Sequence, residues 1–256
     1  MKVKNSVALV TGANRGLGQL LVNELLRRGA ARIYATARDE TTIPAEAGVI
    51  PLRLDVTDPE SIARAAAAAP DVDLVINNAG ISTHTRLIDS ALGDVQREFD
   101  TNFWGPLLVT RAFAPSLGKN GGAVVNVLSL LSWEHRPNYG AYSVSKAASW
   151  ATSNVIRQEL ASSGVTVTAV HVGYMETDMA DYVTTPKEDP RLVAAATLDA
   201  VEGGHPELVY GSAAARVRTR LSKPLAATYE GLGLPTGLHI VGAADTPITP
   251  CRGRSA

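Results

Sequence analysis

The sequence predicts an α/β domain built on a doubly wound parallel sheet, three layers deep in the order α/β/α. Two observations carry this. Short runs rich in Val, Ile and Ala alternate with helical patterns along most of the chain, the arrangement that links parallel strands through crossover helices on both faces of a sheet. A glycine-rich turn also joins the first strand directly to the first helix. At 256 residues, 45% hydrophobic and 19% charged, the chain can bury a full core, and its length lies within the range of one domain.

Strand-like runs fall at Val7 to Thr11, Arg32 to Thr36, Val49 to Leu54, Leu74 to Asn77, Ala123 to Leu128 and Val165 to Val170. Helical patterns fall at Leu17 to Arg28, Pro59 to Ala69, Val95 to Phe113 and, most clearly, Tyr142 to Ala161. Gly29, Gly48 and Gly164 are each placed just past a helical pattern, where a residue tolerant of left-handed dihedrals closes the helix. The run Ala65 to Ala69 reads as ordinary helix rather than a linker. Beyond Gly173 the pattern loosens through Thr177 to Asp189. A helix near Arg191 to Glu202, a short strand near Leu208 to Tyr210 and a helix to about Leu221 follow. The domain therefore covers residues 1–222 and includes a substrate lid at about 174–210. Residues 223–256 form a C-terminal extension of no readable structure, with Gly237 to Gly242 its one strand-like piece.

A formal net charge of −1 with scattered cations leaves no basic stripe for nucleic acid and none for anionic lipid. Cys251, the lone cysteine, rules out an internal disulfide and a cysteine-based zinc site. His84, His135, His171 and His205 lie in separate segments without metal-ligand spacing, so no metal is expected. Met1 runs almost directly into the first strand without a basic and apolar leader. A cytoplasmic location is the expectation.

The first strand passes into Gly12-Ala13-Asn14-Arg15-Gly16-Leu17-Gly18, which opens the first helix. Glycines here let the backbone turn tightly and approach a pyrophosphate, held by the N–H groups and dipole of the helix N-terminus. The spacing is G-x-x-x-G-x-G rather than the G-x-G-x-x-G dinucleotide fingerprint, so placement between strand and helix carries the reading. A glycine-rich turn that binds nothing is the alternative. With that placement the fold is of Rossmann type. The turn after the second strand distinguishes NAD from NADP in such folds, and here it reads Thr36-Ala37-Arg38-Asp39. Arg38 offers a fork of donors to a 2′-phosphate, with Arg15 as a second cation, and NADP(H) is the expected cofactor. The other assignment has Arg38 solvated and Asp39 on the ribose.

Tyr142 and Lys146, four residues apart at the start of a helix, project from one face. Reducing a carbonyl by hydride transfer leaves an alkoxide that an acid must protonate. A tyrosine with pKa about 10 suits neutral pH poorly, and a neighbouring ammonium, together with the positive nicotinamide ring of an oxidised cofactor, favours its phenolate and narrows the gap. A Tyr-x-x-x-Lys arises by chance in about one such sequence in six, so the pair needs company.

Company is present. The Thr11 to Gly18 loop, Asp55-Val56, Asn77-Asn78-Ala79-Gly80, Asn102, Ser129, Tyr142 with Lys146, and Gly173 with Thr177 occur in one order. From Val7 to about Ser222 the chain resembles the short-chain dehydrogenase/reductase family. The resemblance implies that Tyr142 is the general acid/base and that Ser129 holds the carbonyl oxygen. Lys146 would tune the tyrosine and hold the nicotinamide ribose, and Asn102 would fix a water that relays protons. Gly105-Pro106 would interrupt the helix and free backbone groups. Asp55 and Val56 would touch the adenine, Asn78, Ala79 and Gly80 would border the adenosine ribose, and Thr177 with Met175 would reach the carboxamide. It also implies a small carbonyl or alcohol substrate and a homodimer or homotetramer, with no nucleic-acid or membrane partner. Val172-Gly173 replaces the family's usual Pro-Gly, and the usual glycine-rich last strand is not evident. Trp133, His135 and Tyr139 could line a substrate pocket or serve as packing. Two other functions stay open: a catalytically idle NADP(H)-binding regulator, which would have no need of the tetrad, and a sugar-nucleotide epimerase or dehydratase, a class generally longer and with different glycine spacing.

Overall fold

The computed structural model describes residues 1–119, 121–229 and 231–234. Gly237 to Gly242 and Cys251 lie outside the described residues. The chain divides into two compact units, Met1–Thr219 and Arg220–Ala256. In the second unit the described structure includes a short helix, Leu225–Thr228.

Among the described residues the first unit carries seven strands: β1 (Val7–Thr11), β2 (Arg32–Ala37), β3 (Val49–Arg53), β4 (Leu74–Asn77), β5 (Ala123–Val127), β6 (Thr166–Val172) and β7 (Glu207–Tyr210). They form one sheet in the order β3-β2-β1-β4-β5-β6-β7, and every pairing is parallel. The order reverses between β1 and β4, which opens a crevice beyond their carboxyl ends where ligands of open α/β sheets bind.

Strand side chains alternate between two helical layers, as a period of two requires. On one side Val10, Ile76 and Val125 pack under α1 (Gly16–Arg27) and α6 (Pro190–Gly203) with Leu21, Leu25 and Leu198. On the other side Leu9, Val75 and Val124 meet Ile62 of α2 (Pro59–Ala68), Phe113 of α4 (Gly105–Leu117) and Ile156 of α5 (Gly140–Glu159). Pro at the first turn and Asp58, whose side chain accepts from Glu60 N, start α2. After β7 comes α7 (Ser212–Arg220).

Three sequence expectations need correction. The pattern Val95 to Phe113 is not one α-helix: α3 (Leu92–Phe99) runs into a π-helical turn, Asp100–Trp104, before α4 begins. The interruption expected at Gly105-Pro106 is this π turn directly before the pair and not an end of the helical path; the widened turn carries the chain through the position where Pro106 has no N–H to give. Gly48 does have φ +85°, but it ends the coil leading into β3 and follows no helix. Gly29 and Gly164, with φ of +77° and +69°, do sit just past helical turns.

Candidate active site

The glycine loop is fixed from behind by β4. Thr11 Oγ1 accepts from the backbone N–H groups of Asn78 (2.9 Å) and Ala79 (3.0 Å). Asn78 Nδ2 donates to the carbonyls of Thr11 (2.9 Å) and Gly12 (3.1 Å). The side chain of Asn78 thus ties the loop to the adjacent strand end. Gly12 and Gly16 adopt φ of +63° and +53°, a region that favours glycine. A Cβ on Gly18 would stand 2.1 Å from the Gly12 carbonyl oxygen. Helix α1 starts at Arg15 without a side-chain cap, so its first N–H groups are left for an anion. Leu17 is buried beneath the loop, while Asn14 is half-buried and Arg15 is exposed. The residues present fit a dinucleotide pyrophosphate: the loop is bare of side chains where the backbone must approach, and its helix end is open.

At the end of β2, Arg38 is exposed. The Asp39 carboxylate is engaged locally, accepting from Thr41 N (3.1 Å) and Thr41 Oγ1 (2.6 Å), and these bonds hold its pKa down. Asp55 is similarly occupied with Thr57 N at 2.9 Å, and Val56 is buried beside it. Beyond β6, the Thr177 side chain lies 3.6 Å from where a Gly16 Cβ would be. Thr177 N donates to the Met175 carbonyl at 2.8 Å. The segment after β6 therefore meets the glycine loop, and Arg15 reaches Asp178 at 3.5 Å.

Ser129, Tyr142, Lys146 and Asn102 come together at the carboxyl ends of β4 and β5. Ser129 leaves β5 as the cap of a short 3-10 turn, its hydroxyl accepting from Leu131 N. Lys146 is buried, and its Nζ donates to the Val127 carbonyl at 2.8 Å. That Nζ lies 5.7 Å from the centre of the Tyr142 ring. Asn102, on the π turn, exchanges two 2.9 Å hydrogen bonds with the backbone of Ile81. A Cβ on Gly80 would stand 3.2 Å from Asn102 Oδ1 and 3.5 Å from Lys146 Nζ. Glycine at that position leaves a gap rimmed by the lysine and the asparagine. The Asn102 carbonyl, lacking an N–H from Pro106, accepts instead from Ser149 Oγ at 2.6 Å. The backbone group expected to be free is thus occupied.

Burial sets the acid/base balance. It pushes the Tyr142 hydroxyl up to about 12, opposed by the Ser129 hydroxyl and reinforced by the charge of Glu98. It also pulls Lys146 down to about 8, with Glu98 opposing. In the protein alone, desolvation of the phenolate is the largest influence on Tyr142 and raises it; the expected lowering was to come from the lysine together with the nicotinamide ring of the oxidised cofactor.

Glu98 was not singled out by sequence reasoning, although it lies one helical turn before Asn102, on the same face. It is fully buried, and its Oε1 takes hydrogen bonds from Thr83 and, at 3.2 Å, from Thr85 Oγ1. Of the three aromatics left open, Trp133 packs: it is 5% exposed and stacks on His171 with ring centres 3.7 Å apart. Tyr139 joins a group of rings beyond the sheet, and His135 is exposed. Among the described residues no three His, Cys, Asp or Glu side chains converge to hold a metal ion, and no helix is long and apolar enough to cross a membrane.

A family model described as short chain dehydrogenase matches residues 6–188. An NADPH-dependent 1-acyldihydroxyacetone phosphate reductase of Schizosaccharomyces pombe is 35% identical over 177 residues, covering 66% of this chain and 60% of that protein. A 3-oxoacyl-[acyl-carrier-protein] reductase of Synechocystis is 32% identical over 188 residues, covering 68% and 76%. The chain thus spans less than two thirds of the length of the S. pombe relative. A short chain dehydrogenase from Burkholderia cenocepacia, solved in complex with NADP, superposes with a TM-score of 0.87 at 37% identity over 92% of this chain and all of that one.

Proposed function

The chain belongs to the short chain dehydrogenase family, and from that premise we propose that it is an NADPH-dependent oxidoreductase that reduces a ketone or aldehyde to an alcohol, or runs the reverse. The observation that carries this reading is the convergence of Ser129, Tyr142, Lys146 and Asn102 beside the gap at Gly80. The related B. cenocepacia structure contains NADP, and the exposed Arg38 beside an already engaged Asp39 supports the same cofactor here. Gly12, Asn14, Gly16 and Gly18 would cradle the pyrophosphate, Arg15 and Arg38 the 2′-phosphate, Asp55 and Val56 the adenine, Ala79 and Gly80 the adenosine ribose, and Met175 and Thr177 the carboxamide. When bound, the cofactor supplies the hydride that converts the carbonyl carbon to a carbinol, so that carbonyl, NADPH and one proton give alcohol and NADP⁺.

The chain's own part is proton transfer and placement. Tyr142, with its pKa near 12, is protonated at neutral pH and gives its hydroxyl proton to the nascent alkoxide, an oxygen more basic still. Ser129 donates a hydrogen bond to the same oxygen and holds it over the phenol. Lys146, cationic below about pH 8, stabilises the phenolate left behind and binds the nicotinamide ribose. Asn102 orients the Ile81 end of the β4 loop and holds the relay water beside Lys146. Exposed Trp104, Val144 and Val155 on the π turn and α5 support assembly as a homodimer or homotetramer through these helices.

Tyr142→Phe tests the activity. With a carbonyl panel followed by NADPH absorbance, the variant should lose about 10²- to 10⁴-fold in kcat, the usual contribution of a general acid, while NADPH affinity stays within about twofold. Turnover at the parent rate would overturn the mechanism.

A further inference from the structure

Four aromatic side chains that the hydride chemistry does not use stand at the mouth of the site. His84 lies on the segment after β4, Tyr139 immediately before α5, and Tyr174 and Tyr182 on the segment after β6. Three loops at the carboxyl edge of the sheet therefore each contribute a ring to one place. The Tyr174 hydroxyl donates to the Tyr139 hydroxyl at 3.2 Å, and the Tyr139 and Tyr182 hydroxyls are 3.1 Å apart. His84 meets Tyr139 and Tyr182 edge-on, with ring centres at 5.2 and 4.7 Å. Its backbone has φ +55°, a conformation rare for a residue with a side chain and kept only where the surroundings enforce it.

This arrangement fixes ring planes and has little use for charge. The phenol hydroxyls are bonded to one another, and the nearby Arg136 guanidinium is paired with Glu134 at 3.0 Å. Tyr182 is 51% exposed, and Leu87 and Met179, on two of the same loops, are each 46% exposed, so the rim offers apolar surface among charged residues such as Arg86, which is paired with Asp89 at 2.9 Å. The rings adjoin the reaction centre: Tyr139 stands at the start of α5, three residues before Tyr142, and the next residue, Gly140, donates its N–H to the carbonyl of Thr85 at 2.8 Å, a residue whose hydroxyl reaches Glu98. Behind Tyr142 stands the buried carboxylate of Glu98, whose field at the tyrosine opposes a second negative charge.

We infer that the substrate is an uncharged aromatic ketone or aldehyde, its ring received by His84, Tyr139, Tyr174 and Tyr182 while its carbonyl reaches Ser129 and Tyr142. This rests on the carbonyl-reducing activity proposed above. Aromatic pairs prefer offset or edge-to-face contact and contribute beyond the area they bury, so rings held at fixed angles discriminate a flat substrate from a puckered one of equal size. A carboxylate or phosphate on the substrate would meet three neutral phenols, with the His84 imidazole as the one ring of the group that can carry positive charge, Lys187 bonded to the Ala180 carbonyl at 3.0 Å, and the Glu98 carboxylate beyond.

The full chain with NADPH is assayed on acetophenone, cyclohexyl methyl ketone and 4-acetylbenzoate, in the parent and in Tyr139→Leu and Tyr182→Leu. Circular dichroism confirms that each variant is folded. Acetophenone should exceed 4-acetylbenzoate by about tenfold or more in kcat/KM. Tyr182→Leu should lower the acetophenone to cyclohexyl methyl ketone ratio by about three- to tenfold, the range of an aromatic pair. An anionic substrate used as well as the neutral one, or a ratio unmoved in both variants, would overturn the inference. Saturation-transfer NMR of acetophenone on the NADP⁺-loaded protein separates the two readings. Ring-proton saturation that the Tyr182→Leu variant loses, together with no turnover of any carbonyl, refutes the activity and upholds the aromatic site. No saturation in the parent refutes the aromatic site.

Discussion

Replacing Gly18 with Ala should damage cofactor binding more than any other single methyl added to the glycine loop. The new Cβ would stand 2.1 Å from the Gly12 carbonyl oxygen, 2.6 Å from Asn78 Nδ2 and 2.9 Å from the Gly12 carbonyl carbon. Ordinary contact begins near 3.4 Å, so loop and helix must separate by more than about 1 Å. Two of the three atoms are backbone, and no rotamer change relieves them. Overpacking of this kind costs about 1–3 kcal/mol. Moving the Gly12 carbonyl also disrupts its 3.1 Å bond from Asn78, a further loss of about 1 kcal/mol. Alanine returns about 1 kcal/mol through helix propensity, because position 18 lies within α1. The net destabilisation is about 1–3 kcal/mol, or roughly 2–12 °C in Tm for a chain of this size, and NADPH should bind at least about tenfold more weakly because the helix N-terminus is displaced. Differential scanning fluorimetry and NADPH fluorescence titration measure both. Gly204→Ala is the control: Gly204 has φ +67° and nothing within 4 Å of a Cβ. It should lower Tm through backbone strain of about 1–2 kcal/mol and leave NADPH affinity alone. If Gly18→Ala keeps its Tm within about 1 °C and its NADPH affinity within about twofold, the close-approach argument is wrong.

Arg38→Asp should weaken NADPH by about 10- to 100-fold, the range of a lost charge-assisted hydrogen bond, with little change for NADH; equal losses for the two cofactors would remove Arg38 from the 2′-phosphate. For Lys146, burial lowers the pKa to about 8, so the ammonium is present below that pH and lost above it. Reductive kcat/KM should therefore decline as pH rises through about 8, and Lys146→Arg, which stays charged, should lack that limb even if its overall rate is low; an identical limb in the arginine variant would assign it elsewhere. His171 is depressed to about 4 from 6.5 by burial. Between these values the unfolded chain binds the proton first, so stability is lost as pH falls from about 6.5 towards 4, by about 3 kcal/mol in all. Urea titrations at about pH 7 and 4.5 should show a smaller acid-induced loss for His171→Asn than for the parent.

The sheet was readable because its inner strands, β1, β4, β5 and β6, are buried on both faces and its crossover helices are amphipathic, so alternation survives in the bare order of residues. The glycine loop was readable because positive φ and close approach admit few other residues. What escaped the sequence depends on neighbours distant along the chain. The rise in the Tyr142 pKa comes from desolvation, which no i,i+4 spacing encodes. His84, Tyr139 and Tyr182 meet through three loops, and each alone resembles an ordinary surface aromatic. Asn102 makes the point most fully. Its side chain bonds Ile81 on the β4 loop, while its carbonyl, released because Pro106 carries no N–H, is taken by Ser149 from α5. Read in sequence, Gly105-Pro106 looks like a break. In space the π turn holds Asn102 against α5, three residues along the helix from Lys146, and a proline that would have ended a free helix instead joins two elements of the site.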